Sequence, residues 1–287
     1  MKKYQIKSFC KINLSLRVLK KLKTGYHRIS SLITFCNLHD LISINIIKKK
    51  EDKIIFSGKF KKGINIKKNT LTNLLFFLRK KKLLKKNFFK INIKKNIPHG
   101  SGLGGGSANA ANLLNFLNIK MNLRLSNKII NKIANQIGFD VEPLLKKQNT
   151  FFTGNKRELI RIQNSFNLNM LVVYPNIICS TKKIYQKNRS FTFSKVKTNF
   201  NTSSKKKLIK FLKNETNDLE NAVIKTYPIV GKIINLIKSQ KGCYFSRVTG
   251  SGSACIGIFN NMKTANNAKD LIKQKFPNFW IATSKTI

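Results

Sequence analysis

Five glycines fall within nine residues in the run His99-Gly-Ser-Gly-Leu-Gly-Gly-Gly-Ser107. Positions without a Cβ let backbone N–H groups converge on one anion, and phosphate is the guest such a cradle fits. A helix beginning near Ser107 adds the positive end of its dipole and the N–H groups of its first turn. Two common phosphate loops fail on particular residues. Gly100, Gly102 and Gly105 satisfy G-x-G-x-x-G, but a dinucleotide fold also wants an acidic residue about 20 positions on, and none occurs between Asp52 and Asp140. A Walker A loop needs a lysine before its Ser/Thr, where this chain has Gly106-Ser107.

A phosphate cradle suggests phosphoryl transfer, which needs anion positioning, Mg²⁺ and a group that orients or deprotonates the attacking hydroxyl. Candidates for that base are few: Asp40, Glu51, Asp52, Asp140, Glu142, Glu158, Glu215, Asp218, Glu220 and Asp270. Asp140 stands at a turn between a predicted helix and an apolar segment.

The elements that must position these residues are legible in outline. Ser15 to Val18, Leu41 to Ile46 and Ile54 to Phe56 have the aliphatic character of strands. Leu71, Leu74, Leu75 and Leu78 recur at helical spacing, ending in the lysines 80 to 82. Phe89, Ile91 and Ile93 alternate as a strand does; Pro98 and the glycine run follow, then a helix. A helix is expected over 127 to 138 with Ser126 as its N-cap. Met170 to Tyr174 reads as a buried strand. The stretch 182 to 213 reads as a mobile connection with one helix at its end. Val230, Ile233, Ile234 and Ile237 mark another helix. Strands are expected over 244 to 248 and 255 to 259, and Thr264 opens a final helix through Phe276. The domain boundary is placed near 155 to 165, giving domains 1–158 and 159–287.

The chain has 287 residues and 41% hydrophobic composition, enough for one large domain or two compact ones. No apolar run reaches the length of a membrane span. Net charge is +47, from 57 Lys+Arg against 10 Asp+Glu. Only 8 of the cations are arginine, and Asn, Ile and Phe are also abundant, so base composition explains the charge better than selected nucleic-acid binding. Cysteines at 10, 36, 179, 243 and 255 show neither C-x-x-C nor pairing with histidine, so neither a disulfide framework nor a zinc site is legible. Lys7 and Lys11 interrupt any apolar secretory segment, making a cytoplasmic location the expectation.

The order Pro98-x-Gly-x-Gly-Leu-Gly-Gly-Gly-Ser-Ala-Asn-Ala-Ala111 resembles the ATP-binding motif of the GHMP kinase superfamily, P-x-x-x-G-L-G-S/G-S-S/A-A. Cys10-Lys11-Ile12-Asn13-Leu14 resembles its A-K-[IVL]-N-L start, and Lys23-Thr24-Gly25-Tyr26-His27 a D-G-Y-H segment. This pair points, within the superfamily, to kinases acting on 4-diphosphocytidyl-2-C-methyl-D-erythritol. Ile137 to Val141 resembles L-G-[SA]-D-V, Thr216 to Glu220 resembles N-D-L-E, and Val248 to Ala254 resembles the third motif, M-S-G-S-G-S/A. The resemblance is collinear from about residue 8 to 260.

The resemblance implies an α+β, two-domain GHMP kinase fold, an amino-terminal ribosomal-protein-like ATP-binding domain followed by a ferredoxin-like one. Its cofactors would be ATP and Mg²⁺. Asp140 would take the proton of the acceptor's 2-hydroxyl, with Lys11 holding Asp140 ionised. Gly102, Leu103, Gly104, Gly105, Gly106 and Ser107 would wrap the ATP phosphates, after Pro98 and Gly100, with Ser107 near Mg²⁺ and Asn69 near the nucleotide. Tyr26 and His27 would frame the cytosine, His27 through its backbone, with Tyr185 on the other side. Asn13 would contact substrate hydroxyls or diphosphate, and Gly250, Ser251 and Gly252 would form a tight turn bringing the second domain to the phosphate loop. The small-molecule substrate is the expected partner, with no specific nucleic acid, no membrane, and a monomer or weak homodimer. One departure stands out: the family continues D-V-P, whereas here Glu142 follows Val141 and sets a second carboxylate near Asp140, able to raise one pKa or attract Mg²⁺. The alternatives are another GHMP kinase, acting on homoserine, mevalonate or a sugar, and a lysine-rich nucleic-acid-binding protein.

Overall fold

The computed structural model describes residues 3–84, 87–153, 158–192 and 204–287. The chain divides into two compact units, the first Met1–Cys10, Leu38–His99 and Gly104–Lys147, the second Lys11–Asn37, Gly100–Leu103 and Gln148–Ile287. Two long strands, β1 (Lys3–Lys21) and β2 (His27–Ile47), pair with one another and contribute residues to both units. The short strands expected near Ser15 and Leu41 are therefore segments of much longer ones.

In the first unit β3 (Lys53–Ser57), α1 (Thr70–Lys80), β4 (Phe88–Lys94), α2 (Gly105–Lys120) and α3 (Asn127–Ile137) follow. β4 lies antiparallel to β2, with Leu41 opposite Lys94 and Ile47 opposite Phe88, and parallel to β3. Phe89, Ile91 and Ile93 are fully buried at every second position of β4, and Leu71, Leu74, Leu75 and Leu78 form the buried face of α1. Asn69 caps α1 and Ser126 caps α3 through side-chain oxygens. Gly104, at φ +65°, caps α2 with no side chain, so the first turn of that 16-residue helix has no side-chain acceptor from its cap.

The second unit adds β5 (Asn149–Thr153), β6 (Glu158–Ile162), β7 (Asn169–Tyr174), α4 (Thr181–Lys187), α5 (Lys205–Asn214), α6 (Glu220–Thr226), α7 (Pro228–Lys238), β8 (Cys243–Val248), β9 (Cys255–Phe259), α8 (Met262–Lys275) and β10 (Trp280–Lys285). β5 pairs with β2 and β6. An antiparallel sheet runs β10-β7-β9-β8. Its core joins Leu171, Val173 and Phe259 to Val230, Ile233 and Ile237 of α7 and to Ala265, Ala268 and Ile272 of α8. β7 is buried at every residue, as its unbroken apolar run suggests.

Differences from expectation have local causes. α4 lies in the stretch read as a mobile connection; Ser180 caps it, but Ile184 is its only fully buried side chain, too little to show a periodicity. Residues 193–203 of that stretch lie outside the described residues, and α5 is the helix expected at its end. α8 starts before Thr264, because Asn261 is the cap and Thr264 supplies the N–H it accepts. Among the described residues no helix is long and apolar enough to cross a membrane.

Candidate active site

In the second unit the glycine run begins as a backbone-to-backbone packing. The N–H of Ala254 donates to Ser101 O at 3.0 Å, and that of Cys179 to Gly100 O at 2.9 Å. A Cβ on Gly252 would strike the Ser101 carbonyl and Gly102 N, and one on Gly102 (φ +89°) would strike Thr249 O. Glycine at 102 and 252 is thus what lets residues 100–103 and the 249–254 turn approach this closely. Thr249 N–H to Ala254 O, 3.0 Å, closes that turn.

Lys11 and Asn13 meet the same place from β1. Lys11 N–H donates to Leu103 O at 3.1 Å, and its buried ammonium donates to Asn13 Oδ1. Asn13 N–H donates to Thr249 Oγ1 at 2.9 Å, and Asn13 Nδ2 to Ser31 Oγ at 2.7 Å, which in turn donates to Ser15 O. Gly250, at φ +62°, packs so tightly that an added Cβ would lie 3.0 Å from Asn13 Oδ1, 3.1 Å from Gly102 O and 3.2 Å from Lys11 Nζ. Residues distant in sequence therefore converge: Lys11, Asn13, Gly102, Thr249 and Gly250. Leu103 is fully buried, and Ser251 Oγ donates to Thr181 Oγ1 at 2.9 Å.

In the first unit the glycine run continues as the start of α2. Gly106 O accepts from Thr70 Oγ1 at 2.9 Å, tying the run to the start of α1. Gly105 packs on Ile97 and Lys95, and Pro98 is buried. Beneath it lies a buried ion pair: Lys95 Nζ donates to Asp40, which also accepts the N–H groups of Asn96 (2.8 Å) and Ile97 (2.9 Å) and Asn109 Nδ2 (3.0 Å). The pair joins β2, the strand leading into the glycine run, and α2. Burial and the Lys95 charge hold His99 below the usual imidazole pKa. Asn69 is engaged in capping: its Oδ1 accepts from Leu71 and Thr72 N–H, and its Nδ2 donates to Asn65 O, Ile66 O and Thr72 Oγ1.

Asp140 is exposed in the turn after α3, a turn held by Val141 N–H to Gly138 O at 3.0 Å. Glu142 is different in kind. It is buried in a 3₁₀ turn, Glu142–Leu145, and accepts from Asn135 Nδ2 at 2.6 Å. The extra carboxylate of this chain is thus spent on fixing α3 to the turn, while Asp140 faces solvent.

An aromatic group lies in the second unit. The rings of His27 and Tyr185 are 5.1 Å apart, and Phe191 stacks on His27 at 6.5 Å and 25°. Tyr26 beside them is 56% exposed. Burial and Lys21 hold the His27 pKa down, so the ring is neutral near pH 7.

Comparison with known proteins decides the family. The GHMP kinases N terminal domain matches residues 69–145, and the GHMP kinases C terminal domain matches 199–278. The 4-diphosphocytidyl-2-C-methyl-D-erythritol kinase of Pelagibacter ubique is 40% identical over 288 residues, covering 100% of both chains. This chain belongs to the 4-diphosphocytidyl-2-C-methyl-D-erythritol kinase family of GHMP kinases. The enzyme of that name from Wolbachia pipientis wMel is 30% identical, again over 100% of both chains. Among solved structures, a 4-(cytidine 5'-diphospho)-2C-methyl-D-erythritol kinase superposes with a TM-score of 0.76 at 21% identity, over 98% of this chain and 99% of that one. A homoserine kinase from Cytophaga hutchinsonii follows at 0.74 and 14%, over 100% and 95%. These establish the two-domain α+β GHMP kinase fold.

Against that family, several positioning residues escape a reading by motif. Ser31, Thr249 and the Asp40–Lys95 pair lie outside the motif positions singled out as site residues. Asp40 gave one signal, a lone carboxylate among the aliphatic residues of a strand, which burial makes costly unless it is paired. Phe191 gave none, standing in a stretch without periodicity.

Proposed function

We propose that this chain transfers the γ-phosphoryl group of ATP to the 2-hydroxyl of 4-diphosphocytidyl-2-C-methyl-D-erythritol, giving the 2-phosphate on the non-mevalonate route to isoprenoid precursors. The observation that carries the reading is the convergence of Lys11 and Asn13 with Gly102 and Gly250, in a chain 40% identical throughout to an enzyme of that name. Three motifs far apart in sequence come together there, which supports the reading.

Asp140 takes the proton of the 2-hydroxyl as its oxygen attacks the γ-phosphorus; the bond from phosphorus to the bridging oxygen breaks, and ADP leaves. Exposure of Asp140 keeps it accessible to an acceptor, whereas Glu142 is committed to Asn135. Lys11 supplies a fixed positive charge in a buried setting, where it acts more strongly than at the surface. The backbone of Gly102 to Ser107, after Pro98 and Gly100, wraps the triphosphate, and the first turn of α2 presents its N–H groups to it. The Ser107 hydroxyl, at that turn, is a hard oxygen suited to the Mg²⁺ that ATP carries, an ion that takes few protein ligands beside phosphates. Asn69 supports the nucleotide site by fixing the start of α1, whose Thr70 holds Gly106.

Tyr26, His27 and Tyr185 frame the cytosine, the neutral His27 ring lying against Tyr185. Asn13 orients acceptor hydroxyls or diphosphate, and Gly250, Ser251 and Gly252 hold the turn that backs Lys11. We assign the two GHMP domains to 1–158 and 159–287, with the family matches 69–145 and 199–278 on either side in support; the compact units divide the chain differently, grouping Lys11–Asn37 and Gly100–Leu103 with the second. The test is product identity: incubation with ATP, Mg²⁺ and the cytidyl substrate is expected to give ADP and one phosphomonoester on carbon 2, read by ³¹P and ¹³C NMR. ATP hydrolysis without that ester, or a phosphate on another carbon, would refute it.

A further inference from the structure

The segment Thr216 to Glu220 has no part in the chemistry above, yet its polar groups are spent on holding the second unit's half of it. Asn217, 6% exposed, donates from Nδ2 to Val248 O at 2.9 Å and to Gly250 O at 2.8 Å, while its Oδ1 accepts Leu219 N–H at 3.1 Å. Those carbonyls flank Thr249, whose hydroxyl accepts Asn13 N–H. Glu220 accepts Val248 N–H at 2.7 Å. On its other side the segment grips β1: Leu16 N–H donates to Thr216 O at 2.9 Å, Asp218 N–H to Leu16 O at 2.8 Å, and Val18 N–H to Asp218 Oδ2 at 2.8 Å. Arg17 forms a two-pronged pair with Glu215 just before it. One short segment therefore sets the spacing between the strand that carries Lys11 and Asn13 and the turn that carries Gly250.

We propose that Asn217 is a positioning residue for phosphoryl transfer: by fixing the Gly250 carbonyl it sets how near the turn stands to Lys11 Nζ and Asn13 Oδ1, and so the direction of the Lys11 ammonium. The amide is the right group for the task. Two carbonyls must be met by two donors on one atom, which a carboxylate cannot offer and a hydroxyl offers once. Little room separates the turn from these groups: a Cβ added at Gly250 would lie 3.0 Å from Asn13 Oδ1 and 3.2 Å from Lys11 Nζ, so a shift of the Gly250 carbonyl changes the space in which the lysine is held. The inference rests on the kinase reading and on Lys11 serving it.

The test compares kcat and KM for ATP and the cytidyl substrate in wild type, Asn217→Asp and Asn217→Ser, each also in a Lys11→Met background, with thermal unfolding to fix the folded fraction. Asn217→Asp is expected to lower kcat by ~100-fold with KM for ATP within ~3-fold, since a misplacement near 1 Å costs about that much. In the Lys11→Met background the same substitution is expected to cost less than ~3-fold, because the group it positions is gone. An unchanged kcat in folded Asn217→Asp, or an equal loss in both backgrounds, would overturn the proposal in favour of a merely structural role. Should Asn217→Asp fail to fold, Asn217→Ser, which keeps one donor, decides by the same comparison with a smaller expected loss, ~10-fold. A folded wild type without turnover would count against the kinase reading itself.

Discussion

Replacing Gly252 by alanine would drive a methyl carbon into three backbone atoms, Ser101 C, Ser101 O and Gly102 N, none of which can rotate away. To restore ordinary van der Waals contact the 249–254 turn must retreat by about 1.5 Å. That displacement breaks the 3.0 Å bond from Ala254 N–H to Ser101 O, a net loss of about 1 kcal/mol, and leaves overpacking strain of roughly 1–3 kcal/mol. Stability is therefore expected to fall by about 2–4 kcal/mol in urea or thermal unfolding. Activity is expected to fall further than stability alone dictates. The turn carries Thr249, which accepts Asn13 N–H, and Gly250, where an added Cβ would lie 3.2 Å from Lys11 Nζ, so kcat/KM under conditions where the variant is folded should drop ~100-fold or more. A coupled ATP-consumption assay beside circular dichroism separates the two effects. Gly138→Ala is the control, because its new carbon meets only Val141 Cγ2, at 3.5 Å, with the backbone extended. A Gly252→Ala enzyme with kcat/KM within ~3-fold of wild type would refute the claim that this close approach builds the site.

Asp140→Asn should lower kcat by at least ~10³-fold in protein that circular dichroism shows to be folded; Glu142→Gln should keep kcat within ~3-fold, and the reverse pattern would move the base to Glu142. Lys95→Met leaves Asp40 charged and buried without its cation, which should cost about 3–5 kcal/mol in denaturant unfolding and weaken ATP binding, because Gly105 rests on that pair; a loss below ~1 kcal/mol would show that the pair is not buried in solution. The lowered His99 pKa has a definite sign. The unfolded chain takes up the proton first, so the stability tied to His99 is complete above its ordinary value of 6.5 and declines as pH falls from there through the folded-state value. Melting temperatures from pH 8 to pH 5 should show a shallower acid decline in His99→Gln, and identical slopes would remove His99 as the cause.

The first half of the glycine run, the leucine face of α1, the cap of α3 and the stripe of α7 are legible because local chemistry alone dictates them: positive φ at Gly100, Gly102 and Gly104, helical spacing, a Ser N-cap. The length of β1 and β2 is not, since Lys7, Lys11, Asn13 and Ser15 interrupt the apolar pattern for reasons found only in the folded site. Lys11 and Asn13 are buried in a strand because they satisfy each other, Ser31 and Thr249. The motif carrying Asn217 was visible as a string, but its purpose depends on carbonyls more than thirty residues away. Glu142 illustrates the converse: the sequence sets it two places from Asp140, and only the fold shows that it is buried and accepts from Asn135. Most of the ten carboxylates are committed to buried or paired positions.

The most direct measurement is ATP turnover by wild type and Lys11→Met with 4-diphosphocytidyl-2-C-methyl-D-erythritol, homoserine and mevalonate offered separately, each with Mg²⁺. The site as built should turn over the cytidyl substrate alone, with kcat reduced at least ~100-fold in Lys11→Met. Equal turnover of homoserine or mevalonate, or a Lys11→Met enzyme with undiminished kcat, would contradict it.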